Sequence, residues 1–196
     1  MENSAALFVR PRRFEDARGW LCETYNERSF SAKGLTARFL QDNHTFSRPT
    51  YTIRGLHFQR PPSAQAKLVR CVSGRILDVI ADIRKGSPSY GNWLSVELSA
   101  AGGEQLYVPE GYLHGFLTLT PDAEVLYKVT AFYDPNADAG IRWDDSLLGI
   151  RWPLPERVSP VLSPKDAALP GLAGFDSPFV FEPGDAPLGP LKELVL

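Results

Sequence analysis

Residues 67–84, KLVRCVSGRILDVIADIR, decide the predicted fold. Two runs rich in β-branched and other apolar residues, 67–72 and 75–84, flank the pair Ser73 and Gly74. A two-residue turn of this composition is typical of a hairpin between antiparallel strands. The stretch therefore predicts two neighbouring strands in an antiparallel sheet.

The second run alternates, so its side chains divide between the two faces of a strand. One face carries only apolar side chains: Leu77, Val79, Ala81 and Ile83. The other face mixes acidic and apolar side chains: Asp78, Asp82, Ile76 and Ile80. Such a face is either exposed to solvent or part of a polar-lined cavity, and the alternation leaves both interpretations open.

The rest of the chain continues in short pieces, divided by 17 prolines and 16 glycines. Further strands are predicted at residues 7–10, 21–25, 37–43, 93–99, 106–108, 116–120 and 124–133, with a short helix at 26–32 and a tight connection at 109–115. Many short strands with almost no helix favour an all-β fold, an antiparallel jelly roll of the cupin type with short peripheral helices. We expect residues 1–172 to form this domain and residues 173–196 to be an irregular tail packed on its outside.

Composition excludes several classes of partner. Twenty-one basic and 23 acidic residues give a net charge of −2, which favours neither nucleic acid nor an acidic membrane surface. The two cysteines, Cys22 and Cys71, lack metal-ligand spacing and are too few for a disulfide scaffold, so a reducing cytoplasm is expected. Residues 1–15 contain no apolar signal segment, and no later stretch is long enough to span a bilayer.

Upstream of this region, residues 54–59, RGLHFQ, place the imidazole of His57 between apolar neighbours in a predicted strand. A lone histidine there is more often a hydrogen-bonded core residue than a catalytic one. The nearby basic residues Arg54, Lys67 and Arg70 favour a functional role. An imidazole titrates near neutral pH, which suits a general base.

Acid–base chemistry would need partners for this base. Asp166 is the candidate carboxylate to hold the far ring nitrogen, Tyr127 is a candidate phenolic acid, and Lys67 is a candidate positive charge for an enolate oxygen. From the residues alone, an ordinary half-buried strand tyrosine is the better interpretation of Tyr127, and the alternative for Lys67 is a solvated hairpin lysine. Motifs for nucleophilic hydrolysis and for phosphate loops are absent from the sequence.

A metal-dependent cupin is the alternative enzyme class, because many cupins bind a metal through histidines. The chain has three histidines, His44, His57 and His114. The usual first cupin motif has two histidines separated by one residue, and here Phe58 and Gln59 follow His57. The sequence therefore predicts no metal site.

Several motifs together resemble the family of dTDP-4-dehydrorhamnose 3,5-epimerases. They are residues 41–44 (QDNH), 54–59 (RGLHFQ), 67–71 (KLVRC), 82–85 (DIRK), 87–88 (SP), 109–111 (PEG), 114–116 (HGF), 126–128 (LYK) and 141–145 (IRWDD). The resemblance covers roughly residues 5–170, and the combination is specific although each motif alone is weak.

The resemblance implies a jelly-roll homodimer that inverts carbons 3 and 5 of a nucleotide-linked 4-keto-6-deoxyhexose without a cofactor. The implied reaction converts dTDP-4-dehydro-6-deoxy-D-glucose to dTDP-4-dehydro-L-rhamnose. By resemblance His57 is the base, Asp166 its orienting partner, Tyr127 the opposing acid and Lys67 the enolate stabiliser. Relatives that invert only one carbon form an alternative, as does a non-catalytic sugar-nucleotide binding module.

The resemblance also implies a set of substrate-binding residues. The matched positions are Arg18, Glu23, Gln41, Asp42, Asn43, Arg54, His114 and Lys165, with Tyr133 close to the site. Asp138 stands where the family is expected to carry a ligand-contacting glutamate, Trp20 stands where phenylalanine is more usual, and the tail has no expected counterpart.

Overall fold

A computed structural model describes residues 5–196 of the chain. Its strands are β1 Leu7–Arg10, β2 Arg13–Asp16, β3 Gly19–Cys22, β4 Gln41–Ser47, β5 Ile53–Gln59, β6 Lys67–Ser73, β7 Arg75–Asp82, β8 Trp93–Ser99, β9 Gln105–Val108, β10 Tyr112–Thr118, β11 Ala123–Val129, β12 Asp138–Gly140 and β13 Lys192–Val195. The helices are α1 Glu27–Ala32 and α2 Pro164–Ala167.

The strands form two main sheets. One has the order β13-β1-β9-β6-β11-β4 and the other the order β12-β5-β10-β7-β8, while β2 and β3 form a separate hairpin. Neighbouring strands pair antiparallel within both sheets, except that β13 runs parallel to β1. The predicted all-β, antiparallel jelly-roll fold is confirmed.

The predicted hairpin across Ser73 and Gly74 is wrong. β6 pairs with β9 and β11, whereas β7 pairs with β8 and β10 in the other sheet, so this turn carries the chain between sheets. Gly74 has φ +75°, and a Cβ there would overlap the hydroxyl of Thr120. The position of the tight turn was predicted correctly. The prediction of its partners failed because a local turn pattern does not determine which strands pair by hydrogen bonds.

The core fills the space between the two sheets. Its inner members come from both: Val69, Ile76, Ile80, Leu98, Leu106, Phe116 and Val125. A second cluster on the other face of the five-stranded sheet includes Val79 and Ala81, so β7 is buried on both faces. Asp78 and Asp82 are fully buried, which excludes the solvent-exposed interpretation of their face.

The tail is more ordered than predicted. Residues Lys192–Val195 form β13, which pairs with β1, so the expectation of a wholly irregular tail is wrong. Only Leu194 of this strand is buried, and four residues are too short a run to show a strand period. Upstream, the rings of Phe175 and Phe179 pack against Phe58 at centroid distances of 5.8 and 5.7 Å.

Several element boundaries differ from the sequence prediction. β10 begins at Tyr112, inside the predicted connection 109–115, and β4 extends through Ser47 rather than ending at 43. The short helix near the start is confirmed as α1, capped by Asn26, whose side chain accepts the amides of Arg28 and Ser29. Among residues 5–196 no helix is long and apolar enough to cross a membrane.

Candidate active site

A cavity of about 790 Å³ opens between the two sheets. β4, β6 and β11 supply one wall, β5 and β10 supply the other, and the segment leading into α2 closes one side. Most of the predicted site residues line it: Gln41, Asn43, Arg54, His57, Lys67, His114, Tyr127, Tyr133, Asp138, Lys165 and Asp166.

Three predicted binding residues do not line this cavity. Asp42 alternates with its cavity-lining neighbours on β4 and instead accepts a 2.8 Å hydrogen bond from Lys128. Arg18 lies in the turn of the β2–β3 hairpin, paired with Asp16 at 2.6 Å. Glu23 follows that hairpin and accepts a hydrogen bond from Ser29. All three positions match the family's motifs. Within this chain, strand alternation turns the Asp42 side chain away from the cavity, and Arg18 and Glu23 lie in or just after the separate β2–β3 hairpin.

His57 and Asp166 form a direct pair at the cavity wall. Nε2 of His57 lies 2.7 Å from Oδ1 of Asp166. Burial alone would raise the pKa of Asp166, but the hydrogen bond and charge of His57 and the amide of Gly55 hold it below its usual range. A carboxylate fixes the proton on Nε2, which leaves Nδ1 as the ring nitrogen for a substrate.

Local structure places Asp166 where it meets this histidine. Ser163 caps α2 by accepting the amide of Asp166, and Pro164 occupies the first turn, where its missing N–H costs nothing. The amide of Gly55 donates to Oδ2 of Asp166 at 3.3 Å. The sequence predicted roles for Lys165 and Asp166 but not for Ser163 and Gly55 as their supports. The capping pattern of serine followed by proline was the available signal.

Gly55 also lets β5 approach β10 closely at this point. It has φ +117°, and a Cβ there would lie 2.7 Å from both Cα of Gly115 and the carbonyl oxygen of His114. The β5–β10 register shifts between His114 and Phe116, which marks a bulge. Only glycine fits this combination of backbone angle and contact.

Tyr127 faces the cavity from the opposite sheet. It lies on β11 and packs partly against the inner core. Burial raises the pKa of its phenol, the positive charge of Arg54 opposes this shift, and Asp138 adds to it. The phenol therefore keeps its proton at neutral pH and is able to donate it.

Lys67 begins β6 on the same wall and is 8% exposed, which excludes the solvated-lysine interpretation. Burial lowers the pKa of its ammonium group to about 8, although the carboxylates of Asp138 and Glu110 partly offset the effect. A cation that is shielded from water in this way interacts strongly with negative charge that develops beside it.

Polar side chains organise the mouth of the cavity. Asp138 accepts hydrogen bonds from the Tyr133 hydroxyl at 3.0 Å and from the Lys165 ammonium. The amide of Tyr133 donates to Oε1 of Gln41 at 3.0 Å. Arg54 is held by Phe46 O and Ser47 Oγ at 2.8 and 3.0 Å.

The three histidines of the metal hypothesis do not converge. His57 and His114 are opposite neighbours on β5 and β10, but His44 is half exposed and pairs with Glu124 at 2.7 Å outside the cavity. Within residues 5–196 no group of three or more His, Cys, Asp or Glu side chains is placed to hold a metal ion. The three-histidine alternative therefore lacks its site.

Comparisons with known proteins give the family of the chain. A sequence model of dTDP-4-dehydrorhamnose 3,5-epimerase matches residues 3–174. The dTDP-4-dehydrorhamnose 3,5-epimerase of Salmonella typhimurium is 48% identical over 165 residues, which cover 84% of this chain and 88% of that protein.

Solved structures show the same relationship. A dTDP-4-dehydrorhamnose 3,5-epimerase from Bacillus anthracis with TDP and PPi bound is 46% identical, with a TM-score of 0.82 over 85% of this chain and 94% of that one. A 3'-monoepimerase from Streptomyces bikiniensis in complex with dTDP-quinovose is 34% identical, with a TM-score of 0.80 over 88% of each chain. The chain belongs to the dTDP-4-dehydrorhamnose 3,5-epimerase family of isomerases.

Proposed function

We propose that this protein converts dTDP-4-dehydro-6-deoxy-D-glucose to dTDP-4-dehydro-L-rhamnose by cofactor-independent inversion at C3 and C5. The observation that carries the proposal is the His57–Asp166 pair on one wall of a cavity whose other wall presents the protonated phenol of Tyr127. Inversion requires a base on one face of the sugar and an acid on the other, and these two groups come from opposite sheets.

The proposed reaction is two proton transfers at each carbon. Nδ1 of His57 takes the proton from the carbon next to the C4 ketone, and the electron pair of the C–H bond moves onto the ketone oxygen as an enolate. Lys67 stabilises that oxygen through its buried positive charge. The Tyr127 phenol then gives a proton to the opposite face of the carbon, the ketone re-forms, and proton exchange with solvent restores both groups. No electron is gained or lost overall.

The nucleotide part of the substrate is proposed to lie toward the mouth. Arg54, Arg48 and Lys165 line the cavity and supply positive charge for a diphosphate, for which the arginine fork is well suited. Tyr133, Gln41 and Asn43 form the neighbouring wall, where they would contact the sugar or base. The TDP and dTDP-quinovose ligands of the two related structures support a nucleotide diphosphate as part of the substrate.

The test is a reaction of the purified protein with dTDP-4-dehydro-6-deoxyglucose in heavy water, followed by NMR of the sugar. The proposal predicts deuterium at both C3 and C5 of the product. Label at one carbon alone would make the protein a mono-epimerase, as the related Streptomyces bikiniensis protein is. Tight dTDP binding without exchange at either carbon would make it a non-catalytic binding module.

The family resemblance also leads us to propose a homodimer. Sedimentation of the purified chain at micromolar concentration is expected to give a single species of twice the 21.7 kDa chain mass. A monomer under these conditions would contradict this part of the proposal.

A further inference from the structure

His114 is the immediate neighbour of His57 on the cavity wall. The two residues are directly opposite each other on β10 and β5, and both line the cavity. Opposite residues in an antiparallel pair have Cα atoms about 4.5–5.5 Å apart, so the two imidazoles lie side by side. A substrate that reaches His57 therefore also meets His114.

Asp78 reaches His114 from the neighbouring strand β7. Its Oδ1 lies 2.6 Å from Nε2 of His114, the same ring nitrogen that His57 uses toward Asp166. Asp78 is 0% exposed, and its second oxygen, Oδ2, has no hydrogen-bond partner among residues 5–196.

Stability alone does not account for Asp78. The other buried acid of the strand, Asp82, is surrounded by donors from Arg84, Ser87 and Ser89. Asp78 instead shares the inner face of β7 with core residues such as Ile80, and its side chain contacts a single hydrogen-bonding group. An isolated carboxylate in such a place is costly, and an apolar side chain would be less so.

The geometry points to Asp78 as a positioning residue for His114. Its carboxylate accepts the Nε2–H of His114 and so fixes the tautomer in which Nδ1 carries a lone pair toward the cavity. In that state His114 accepts a hydrogen bond from a hydroxyl of the bound 4-keto sugar and holds the ring against His57. This inference rests on the proposed function, and it adds a second carboxylate-bound imidazole beside the first.

The direct test is Asp78→Asn. Since Oδ2 has no partner, the asparagine is expected to put its carbonyl there and to turn its amide toward Nε2, which forces the proton of His114 onto Nδ1. Nδ1 then no longer accepts the hydrogen bond from the sugar hydroxyl, and the sugar loses its orientation against His57. We expect kcat to fall by about 10- to 100-fold. KM should change by no more than about threefold, because the nucleotide contacts are untouched.

A double-mutant cycle separates positioning from support of the fold. If Asp78 acts through His114, then Asp78→Asn in a His114→Gln background should cost less than about twofold in kcat. Losses that multiply would overturn the inference. Glu124→Gln is the matched control, because it removes a carboxylate 2.7 Å from a histidine outside the cavity and should leave kcat unchanged.

A second readout does not depend on activity. The chain has three histidines, so ¹⁵N-histidine labelling with His44→Gln and His114→Gln for assignment resolves each imidazole by NMR. We expect His114 to carry its proton on Nε2 in the unsubstituted protein and on Nδ1 in Asp78→Asn. A proton on Nδ1 in the unsubstituted protein would refute the inference even if the protein proves to be an epimerase. The expected tautomers without any C3 or C5 exchange would instead refute the proposed function.

Discussion

His57 and Asp166 are 109 residues apart in the chain, yet Nε2 of the first lies 2.7 Å from Oδ1 of the second. One comes from strand β5 and the other from a four-residue helix whose cap fixes its position. The pair leaves Nδ1 of His57 as the nitrogen that faces the cavity, which is what a base acting on carbon requires.

Asp166→Asn should lower kcat about 10²- to 10⁴-fold, because the amide no longer selects the Nε2–H tautomer or stabilises the imidazolium that forms. Steady-state kinetics with the dTDP-4-keto sugar measures this. Asp176→Asn is the control, since Asp176 pairs with Lys85 on the surface and its loss should not change kcat. An Asp166→Asn enzyme with full activity would show that the carboxylate does not orient the base.

Tyr127→Phe should separate exchange from inversion. The substitution removes only the hydroxyl, so His57 still takes protons from carbon and returns deuterium from solvent on the same face. Deuterium incorporation into recovered substrate should therefore persist while net inversion falls by about 10²-fold or more. NMR of substrate and product in heavy water follows both quantities. Equal loss of the two would argue against Tyr127 as the acid.

The lowered pKa of Lys67, about 8, predicts a pH limit on the proposed reaction. If the enolate needs the ammonium form, then kcat/KM should fall as pH rises through about 8. Lys67→Arg keeps a charge that stays protonated in this range, so its remaining activity should lack that descending limb. If kcat/KM of Lys67→Arg falls with pH at the same midpoint, the group that titrates is not Lys67.

Lys67 should also reduce the free energy of unfolding of the protein. Its pKa in the folded state lies below the 10.5 of an exposed lysine, so the unfolded chain binds more protons between pH 8 and 10.5. Unfolding free energy should therefore rise with pH across this window. Lys67→Met should stabilise the fold by about 1–3 kcal/mol at pH 7 while removing activity. Denaturant unfolding at several pH values tests this, and a destabilised Lys67→Met protein would contradict it.

Gly55→Ala should be far more damaging than an alanine at another glycine of similar backbone angle. At Gly55 the added methyl meets the backbone of His114 and Gly115, whereas at Gly19, with φ +125°, nothing lies within 4 Å. We expect Gly55→Ala to cost about 3 kcal/mol or more and Gly19→Ala about 1–2 kcal/mol. Thermal unfolding of the two variants gives the comparison, and equal losses would show that the close approach carries no extra cost.

Local patterns predicted individual strands better than their partners. A strand was predicted at residues 93–99, where β8 lies, and the helix predicted from Asn26 is α1, which Asn26 caps. Ser73 and Gly74 marked a turn but not that it joins two sheets, because strand pairing depends on distant segments. β13 was missed because its pairing with β1 joins the two ends of the described chain.

The sequence also predicted some features of the candidate site and missed others. Asp166 was expected to hold a ring nitrogen of His57, and the structure brings the two side chains together at one wall of the cavity. The burial of Lys67 could not be predicted from the sequence, because it depends on which other segments cover the start of β6. Asp78 was seen only as part of an acidic face, because its contact with His114 requires knowing that β7 neighbours β10.

The central claim is that the imidazole of His57 removes the protons from the sugar carbons. The most direct measurement compares deuterium incorporation at C3 and C5 from heavy water by the unsubstituted enzyme and by His57→Ala, with folding of both checked by thermal unfolding. We predict exchange at both carbons in the first and a loss of about 100-fold or more at both carbons in the second. Exchange by folded His57→Ala at the unsubstituted rate would contradict the account.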